Sequence, residues 1–525
     1  MSNSTQSVKK PSASVFKKKD VGKMLAKLEA GGEQLKKTLG AFDLTILGIG
    51  AIIGAGIFTL SGTAAAGSEG HVGAGPALIL SFVLSGIICG ITALCYAEFA
   101  SMIPVAGSAY TYTYTTLGEI VAFIVGWVLI LGYGIGSITV ACGWSGYLFQ
   151  LLRGFEQSLH LPHWLVHPPF WMVYEYKSAL VAYETANMTP DFPMLFGIPV
   201  SFNLPALFII IVCTYLLYIG IQESARMAAV MVLIKLVVIF AFIVGGAFFV
   251  QPANWSPFMP NGFTGVVMGA FLVFFAYMGF DMVATTAEET KNPSRDLPIG
   301  IITSLVVCTI IYILVAAVLT GMVPWNKIDT HSPIATAMAQ VGINWAAGVI
   351  SIGAVAGLSS VILVQLMAVT RVLFAMARDG LLPKVFSKIH NKYHTPHILT
   401  ICVGSFVAIC TFFIDINKAA ELCNIGTLTA FTVVCAGIVI LRYTEPHKER
   451  PFRMPLAPAL PTIGALMSSS LIIFTLFNTE SPLLLYYAAW LGVGISVYFI
   501  HGRSHSTLKA ELEEEENQAM SAEAS

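Results

Sequence analysis

The chain has 525 residues, of which 56% are hydrophobic and only 11% are charged. A soluble domain carries roughly 25% charged residues, so this composition excludes a water-soluble globular protein and predicts an integral membrane protein. The net charge of -1 gives no reason to expect nucleic acid as a partner. The nine cysteines lie in apolar stretches without the close spacing of metal sites. We therefore expect no disulfide, no bound metal and no cofactor.

Apolar runs recur along the whole chain and are long enough to cross a bilayer as helices, which takes roughly 17–25 residues. Twelve such runs cover approximately residues 42–64, 75–102, 118–152, 203–219, 224–250, 262–287, 297–322, 346–377, 397–414, 419–441, 457–477 and 484–502. The sequence therefore predicts an all-α integral membrane protein with about 12 transmembrane helices.

Basic residues are distributed unevenly between the loops. With the amino terminus placed inside, 22 of the 28 lysines and arginines fall on the cytoplasmic side and four on the opposite side. Positive loops mark the cytoplasmic side, so we expect a multi-pass protein of the cell membrane with both termini in the cytoplasm. The first forty residues lack the features of a signal peptide. Val21, Met24, Leu25 and Leu28 recur there at helical spacing among lysines, which is typical of an amphipathic helix on the membrane surface; a solvated tail is the alternative.

Two of the predicted helices are interrupted near the middle of the membrane. The first has four glycines in the nine residues from Gly48 to Gly56, and the sixth has Gly269 and then Gly279 followed by Asp281. Glycine costs about 1 kcal/mol in a helix interior, although close helix packing is an alternative reason for it. Interruptions five helices apart predict a transporter whose binding site lies between two inverted repeats, here helices one to five and six to ten.

The helix ends at these interruptions leave backbone groups unpaired inside the membrane. The second half of the first helix begins with Ala55, Gly56, Ile57 and Phe58, whose free N–H groups are suited to a carboxylate, because helix amino termini bind anions. Asp281 is able to cap the second half of the sixth helix itself, or to set specificity. Freed carbonyl groups can accept hydrogen bonds from an ammonium group, and the candidates are Ile52, Ile53, Phe275, Ala276 and Met278. Together these ends fit a zwitterionic α-amino acid.

Lys235 is predicted to lie about eleven residues into a span of roughly 27, near the middle of the bilayer. Ionisable residues within a span are functional candidates, and loss of hydration disfavours a charged amine there. Snorkelling is the alternative, but at 1.5 Å per residue either face is about 15 Å away. We therefore predict that Lys235 couples transport to protons. For Arg371, closer to a cytoplasmic end, we favour structural anchoring over pairing with a gate carboxylate.

Several motifs resemble the amino acid-polyamine-organocation superfamily. These are Leu39–Leu44, the glycine-rich first interruption, Ala74–Ala77, Cys95–Phe99 and Ile103–Tyr110. Further motifs resemble the bacterial branch of the cationic amino acid transporter family, namely Glu223–Arg226 with Lys235, Glu288–Pro293, Ala377–Gly380 and Arg450–Pro455. The likeness covers roughly residues 35–500. One departure is Gly132, which follows Leu129–Leu131 where bacterial relatives often have a carboxylate.

The resemblance implies a leucine-transporter-like fold of two inverted five-helix repeats, with helices one and six broken and alternating access around a mid-membrane amino acid. The family pattern and the helix-end argument together give the candidate substrate-binding residues Ile52, Ile53, Gly54, Ala55, Gly56, Phe275, Ala276 and Met278. The expected organisation is a basic cytoplasmic segment at 1–40, the two repeats at 41–250 and 251–443, helices eleven and twelve at 444–503, and an acidic cytoplasmic tail at 504–525.

The sequence therefore predicts a secondary active transporter that carries L-amino acids with protons, and favours small or medium neutral side chains. We find no nucleophile and base, and no metal cluster, among the intramembrane residues, so an enzyme is not expected. The alternatives are a cationic amino acid or polyamine exchanger, a channel and a binding-only nutrient sensor. The expected partners are an L-amino acid, protons and the lipid bilayer, and the oligomeric state stays open.

A long loop, 153–203, is predicted to lie outside the cell and is rich in Trp, Tyr and Pro. Its His160, His163 and His167 are candidates for metal binding or pH sensing. We favour an aromatic lid at the membrane interface as the simpler interpretation.

Overall fold

The computed structural model describes residues 17–19, 22, 37–68, 72–105, 107–185, 187–195, 197–330, 332–414, 416–478 and 482–524. Within these residues, ten helices are long and apolar enough to cross a membrane. Two shorter apolar helices, Leu204–Ile219 and His397–Cys410, coincide with the fourth and ninth predicted runs. The predicted class of helical membrane protein is therefore confirmed. The amphipathic segment predicted at residues 21–28 lies outside the described residues apart from Gly22.

Helices follow one another along almost the entire described chain. The α-helices are Ala41–Ile52, Ser61–Ala66, Leu78–Met102, Ala109–Thr116, Glu119–Leu159, His163–Val166, Tyr176–Thr185, Leu204–Ile219, Ile221–Ala247, Gly262–Phe274, Pro293–Met322, Pro333–Gln340, Asn344–Arg378, His397–Cys410, Ile416–Thr444, Ala459–Asn478, Leu483–Val497, Arg503–His505 and Thr507–Ala524. Shorter 3-10 or π-helical turns are Gly56–Leu60, Gly75–Ala77, Phe170–Met172, Pro252–Trp255, Phe275–Tyr277, Asp281–Glu289, Trp325–Lys327, Lys384–Ser387 and Tyr498–Gly502.

Among the described residues, a pair of short β-strands lies in the loop between the Glu119–Leu159 and Leu204–Ile219 helices. Met194–Leu195 and Ile198–Pro199 pair antiparallel, two residues each. These four residues in a connecting loop leave the predicted all-α fold class unchanged. Within the loop, the Oγ of Ser201 donates to the carbonyl oxygens of Trp171 and Tyr174. The Oγ of Ser145, on the Glu119–Leu159 helix, donates to the carbonyl oxygen of Val173 at 3.3 Å and so attaches the loop to the helices.

Local signals in the sequence explain several helix ends. The Asp43 carboxylate accepts the N–H of Gly40 at 2.9 Å and so satisfies one of the unpaired donors at the start of the first helix. The Asn203 side chain caps the Leu204–Ile219 helix by accepting the N–H of Ala206 at 3.1 Å. Pro293 occupies the first position of its helix, where its missing N–H costs nothing.

Both interruptions that the glycines predict are present. The first helix stops at Ile52, Ile53 is extended with ψ of 101°, and helical structure resumes at Gly56 as a π-turn. We call residues 53–56 the first break. In the sixth predicted run, a 3-10 turn ends at Tyr277 and Met278 is extended with ψ of 135°. Gly279 then has a φ of +129°, a conformation that suits glycine because it has no Cβ. We call residues 275–280 the second break.

The Glu119–Leu159 helix is central to the packing. It lies against Asn344–Arg378 and Ile416–Thr444, while Pro293–Met322 packs against Leu78–Met102 and Ala41–Ile52. These contacts place the two breaks next to each other in the interior. At the predicted cytoplasmic end, Leu39 forms a parallel bridge with Thr290, which joins the start of the first broken helix to the end of the second.

Candidate functional site

The two breaks touch through their backbones. A Cβ added to Gly56 would lie 2.2 Å from the Cα of Ala276 and 2.6 Å from its backbone nitrogen. A Cβ on Gly279 would lie 2.7 Å from the carbonyl carbon of Ala51. Glycine at these positions therefore permits an approach between backbones that any other residue would prevent. All eight candidate substrate-binding residues are buried at this contact.

A tyrosine connects the breaks. The hydroxyl group of Tyr312, on the Pro293–Met322 helix, lies 2.9 Å from the carbonyl oxygen of Ile52 and 2.8 Å from that of Ala276. Another candidate acceptor, the carbonyl group of Phe275, accepts the N–H of Met278 at 3.3 Å. Several of the carbonyl groups expected to meet a substrate ammonium are thus already bonded to protein donors in this conformation.

Amide donors at the first break remain free. The expectation of free N–H groups is wrong for Ile57 and Phe58, because both donate to the carbonyl oxygen of Gly54 at 3.2 Å as the helix resumes. Within the described part of the chain, the N–H groups of Gly54 and Ala55 have no protein acceptor. Unpaired amides at the start of a buried helix segment form a site for an anionic group, here suited to a carboxylate.

The amine of Lys235 lies directly on the first break. Its Nζ donates to the carbonyl oxygens of Gly50 and Ile53, both at 2.7 Å, and to the Oγ of Ser360 at 3.0 Å. The side chain is fully buried. Three acceptors match the three N–H donors of a protonated amine. Among the described residues no carboxylate forms an ion pair with Lys235, so backbone dipoles and one hydroxyl group hold the amine.

Asp281 is the first residue after the second break and is fully buried. Its Oδ2 accepts the hydroxyl of Tyr133 at 2.5 Å, and its Oδ1 accepts the N–H of Gly279 at 3.2 Å. The N-cap position of the following helix belongs to Phe280, whose side chain forms no cap. Asp281 thus ties the second break to the Glu119–Leu159 helix, so the carboxylate is already engaged.

Three neutral polar side chains form a cluster beside the second break, and we call Gln365, Cys423 and Thr427 the polar cluster. The Sγ of Cys423 lies 3.7 Å from the Sδ of Met278. A Cβ on Gly132 would lie 2.9 Å from the Oγ1 of Thr427. The Oε1 of Gln365 and the Oγ1 of Thr427 are buried without a hydrogen-bond partner among the described residues. Such an atom costs about 1–3 kcal/mol, which is a typical sign of a site that a ligand or water completes.

Charged side chains at the predicted cytoplasmic end pair across helices. Arg371 donates from Nη2 to the Oε1 of Glu289 at 2.5 Å, and both side chains are buried. Asp379 accepts the hydroxyl of Tyr110 at 2.7 Å and the amine of Lys19 at 2.5 Å. The partner of Arg371 therefore lies at the end of the second broken helix, and this pair ties that end to the Asn344–Arg378 helix, as structural anchoring requires.

Reasoning from the sequence missed Tyr312, Ser360, Tyr133 and the polar cluster. Their signal was present, because polar side chains within membrane helices are functional candidates. Gln365 is an amide within the span that also contains Ser360. What the sequence lacks is the helix packing that brings Tyr312, Lys235 and Ser360 to the same interruption.

Comparison with known proteins agrees with this architecture. Residues 39–497 match the family model described as "Amino acid permease". The chain is 44% identical to the branched-chain amino acid permease BcaP of Bacillus subtilis over 94% of this chain and 99% of the relative. It is 42% identical to the methylthioribose transporter of the same organism, with the same coverage. It is also 35% identical to the vacuolar cationic amino acid transporter 4 of Arabidopsis thaliana, over 90% of this chain and 74% of the relative.

The chain belongs to the amino acid permease family of the amino acid-polyamine-organocation superfamily. It is a multi-pass membrane transporter for amino acids and not an enzyme. The family resemblance and the prediction of amino acid transport are therefore confirmed.

Proposed function

We propose that this transporter carries neutral L-α-amino acids together with protons, and that it alternates between inward-open and outward-open states around the two breaks. In this proposal the repeats comprise residues 41–250 and 251–443, and helices eleven and twelve comprise residues 444–503. The basic segment 1–40 and the acidic tail 504–525 both lie in the cytoplasm of a cell-membrane protein. The observation that carries the proposal is the contact of the Lys235 amine with the first break.

The substrate backbone has suitable partners at the breaks. The free N–H groups of Gly54 and Ala55 favour the carboxylate, because donors at a helix amino terminus stabilise negative charge. The ammonium group would then face carbonyl groups of the second break. A carbonyl oxygen has two lone pairs, so that of Ala276 can accept a second hydrogen bond beside the one from Tyr312.

A neutral substrate side chain fits the surroundings of the second break. Gln365, Cys423 and Thr427 are uncharged, and Met278 contacts this cluster through Cys423. The nearby carboxylate, Asp281, is engaged by Tyr133 and Gly279. A lysine or arginine side chain would lose its hydration there without gaining a counter-ion, which is unfavourable. Gly132 supplies no acid in place of the one that bacterial relatives often have.

Proton coupling is supported by the number of donors on the Lys235 amine. The protonated amine satisfies Gly50, Ile53 and Ser360 with three N–H groups, whereas the neutral amine has only two. Loss of the proton therefore weakens the contact between the Ile221–Ala247 helix and the first break. A ligand or proton shifts a conformational equilibrium by its differential affinity for the two states, so binding and release of this proton can bias the direction of access.

The names of the relatives differ in substrate and therefore define the competitors for a binding assay. One name indicates branched-chain amino acids, one cationic amino acids and one methylthioribose. The neutral lining of the polar cluster disfavours a cationic side chain, and the free N–H groups of Gly54 and Ala55, which suit a carboxylate, favour an amino acid over methylthioribose. The second candidate function is transport or exchange of cationic amino acids, which is supported only by the names of relatives.

The test is counterflow of labelled leucine in proteoliposomes containing the purified chain, with unlabelled leucine, alanine, arginine or methylthioribose as competitor. Counterflow requires a carrier, so it separates transport from a binding-only sensor and from a channel. We expect leucine or alanine to compete at least tenfold better than arginine or methylthioribose, which corresponds to about 1.4 kcal/mol. Stronger competition by arginine or methylthioribose would overturn the proposed substrate class.

A further inference from the structure

Two histidines and a glutamate converge at the end of the Glu119–Leu159 helix, far from the breaks. The Nδ1 of His163 lies 3.4 Å from the Oε1 of Glu156, and the Nε2 of His167 lies 3.2 Å from its Oε2. The three ligand atoms lie within 4.8 Å of one another. We propose that Glu156, His163 and His167 form a binding site for a divalent transition metal of the zinc class, on the loop predicted to face the outside.

The local fold presents both rings to the same carboxylate. The long helix ends at Leu159, and His160 adopts a left-handed conformation with φ of 49° that reverses the chain. His163 and His167 then lie four residues apart on a single helical turn, with the N–H of His167 bonded to the carbonyl oxygen of His163 at 2.8 Å. Residues four apart lie on the same face of a helix, and the ring centroids are 4.5 Å apart.

The turn that carries the histidines is anchored to the protein. Val166, between the two histidines, is fully buried. The N–H of Leu161 donates to the carbonyl oxygen of Glu156 at 3.1 Å, which fixes the start of the loop against the helix end. The backbone that carries the three side chains is therefore held by contacts other than those among the side chains themselves.

The distances fit metal coordination better than a strong ion pair. Zinc binds histidine nitrogen and carboxylate oxygen at about 2.0–2.2 Å in a tetrahedral arrangement, so its ligand atoms lie about 3.3–3.5 Å apart. The two nitrogen–oxygen distances at Glu156 are 3.4 and 3.2 Å. Charge-assisted hydrogen bonds between nitrogen and oxygen are shorter, about 2.7–2.9 Å. A small inward shift of the exposed His163 ring, whose side chain is 81% exposed, would bring all three ligand atoms into range.

The donor set indicates which metals the site would bind. Calcium and magnesium prefer oxygen ligands, whereas two imidazole nitrogens favour zinc, copper or nickel. Three protein ligands leave a coordination position for water. Bound metal would cross-link residues 156 and 167 and so hold the beginning of the 153–203 loop on the helix end.

The test is isothermal titration of Zn²⁺ into the full-length chain, purified with an affinity tag that contains no histidine. We expect one Zn²⁺ per chain, at least tenfold weaker binding in the His163→Ala/His167→Ala variant, and weaker binding in Glu156→Gln. Ca²⁺ should give no comparable heat. Titration with Co²⁺, followed by its visible absorption, reports the coordination geometry independently.

A matched control exists at the other end of the molecule. His501 and His505 are also four residues apart with ring centroids 4.3 Å apart, but the nitrogen of His505 bonds to Ser504 and to the carbonyl oxygen of His501. The His501→Ala/His505→Ala variant and the His160→Ala variant should bind Zn²⁺ like the wild type. An absence of stoichiometric binding in the wild type would overturn the proposal. So would unchanged binding in His163→Ala/His167→Ala, or equal loss in the His501→Ala/His505→Ala control.

Discussion

The side-chain amine of Lys235 lies 2.7 Å from the carbonyl oxygen of Ile53, the residue at which the first membrane helix is interrupted. The same amine lies 2.7 Å from the carbonyl oxygen of Gly50, one turn earlier. One buried amine therefore bridges the end of a helix and the unwound segment that follows. The free N–H groups of Gly54 and Ala55 come next in the chain. Protonation of the Lys235 amine is therefore linked to the geometry of the proposed carboxylate site.

Removing the hydroxyl group of Ser360, which accepts a hydrogen bond from the Lys235 amine, should weaken proton coupling. Ser360 accepts the amine at 3.0 Å, so Ser360→Ala leaves the protonated amine with two acceptors. A hydrogen bond to a charged group contributes about 1.5–3 kcal/mol, so we expect proton-driven leucine accumulation to fall about tenfold or more. Counterflow, which needs no net proton movement, should fall less. Initial rates at a series of external pH values measure both.

The neighbouring serine provides the control for that variant. The Oγ of Ser359 accepts the indole N–H of Trp144 at 2.9 Å and forms no bond to Lys235. Ser359→Ala should therefore leave the ratio of accumulation to counterflow unchanged. If the two alanine variants change this ratio equally, the hydroxyl group of Ser360 has no special role in coupling.

The first break should tolerate a methyl group only when its neighbour is shortened. A Cβ on Gly54 would lie 2.7 Å from the Cγ2 of Val361, which is a side-chain atom. We expect Gly54→Ala to reduce leucine binding, and Gly54→Ala/Val361→Ala to recover much of it, because the second substitution removes the clash. Overpacking of this kind costs about 1–3 kcal/mol. Binding of labelled leucine to purified variants, with thermal stability alongside, measures the effect.

Gly56 should behave differently because its neighbour is backbone. The clash there is with the Cα and nitrogen of Ala276, which no substitution of Val361 relieves. Gly56→Ala should therefore be inactive and less stable with or without Val361→Ala. Full binding by Gly56→Ala would show that the breaks are not in backbone contact.

A negative charge in the polar cluster should change the preferred substrate. Gln365→Glu keeps the size of the side chain and places a carboxylate beside Cys423 and Thr427. Because opposite charges attract strongly where water is excluded, we expect arginine to gain at least tenfold against leucine in the competition assay. Gln150→Glu is the control, since Gln150 also has a buried oxygen without a partner among the described residues but lies elsewhere. An unchanged preference in Gln365→Glu would place the substrate side chain outside this cluster.

The protein should be least stable when only one charge of the buried pair Arg371 and Glu289 is removed. It should be more stable when both charges are present or both are removed. Removing one partner of a buried pair costs about 3–5 kcal/mol, because it leaves an unpaired charge. We expect Arg371→Gln to lower the melting temperature strongly and Arg371→Gln/Glu289→Gln to recover much of the loss. Thermal unfolding of the detergent-solubilised protein measures this.

The control for this pair is the partly exposed pair of Lys448 and Glu445, with nitrogen and oxygen 2.8 Å apart. An ion pair that water reaches contributes about 0–1 kcal/mol, so Lys448→Gln should have little effect on the melting temperature. A double variant as unstable as Arg371→Gln alone would contradict the assignment of the loss to an unpaired charge.

Much of the fold could be predicted because it depends on local features of the sequence. Apolar runs give the helices, and the glycines before Gly56 and around Gly279 give the interruptions, since both follow from short segments of chain. Lys235 could be identified by its depth in a span. In each case the relevant physical constraint is the cost of placing a backbone or a charge in hydrocarbon, which is independent of tertiary packing.

The composition of the site could not be predicted to the same extent. Tyr312 bonds to Ile52, 260 residues away in the chain, and Tyr133 bonds to Asp281, 148 residues away. Such contacts depend on which helices pack together and with what rotation. The sequence left capping and specificity as alternative roles for Asp281. Its carboxylate bonds to the hydroxyl of Tyr133, on the Glu119–Leu159 helix, and to the N–H of Gly279.

The most direct test of the central claim is leucine uptake into proteoliposomes with an imposed pH gradient, in sodium and in sodium-free buffer. The comparison is between the wild type, Lys235→Ala, and Lys384→Ala as a control at an exposed loop lysine. We predict that acid outside stimulates accumulation by the wild type and Lys384→Ala regardless of sodium. Lys235→Ala should retain binding or counterflow but lose gradient-driven accumulation. Sodium-dependent uptake by the wild type, or proton-driven accumulation by Lys235→Ala, would contradict the account.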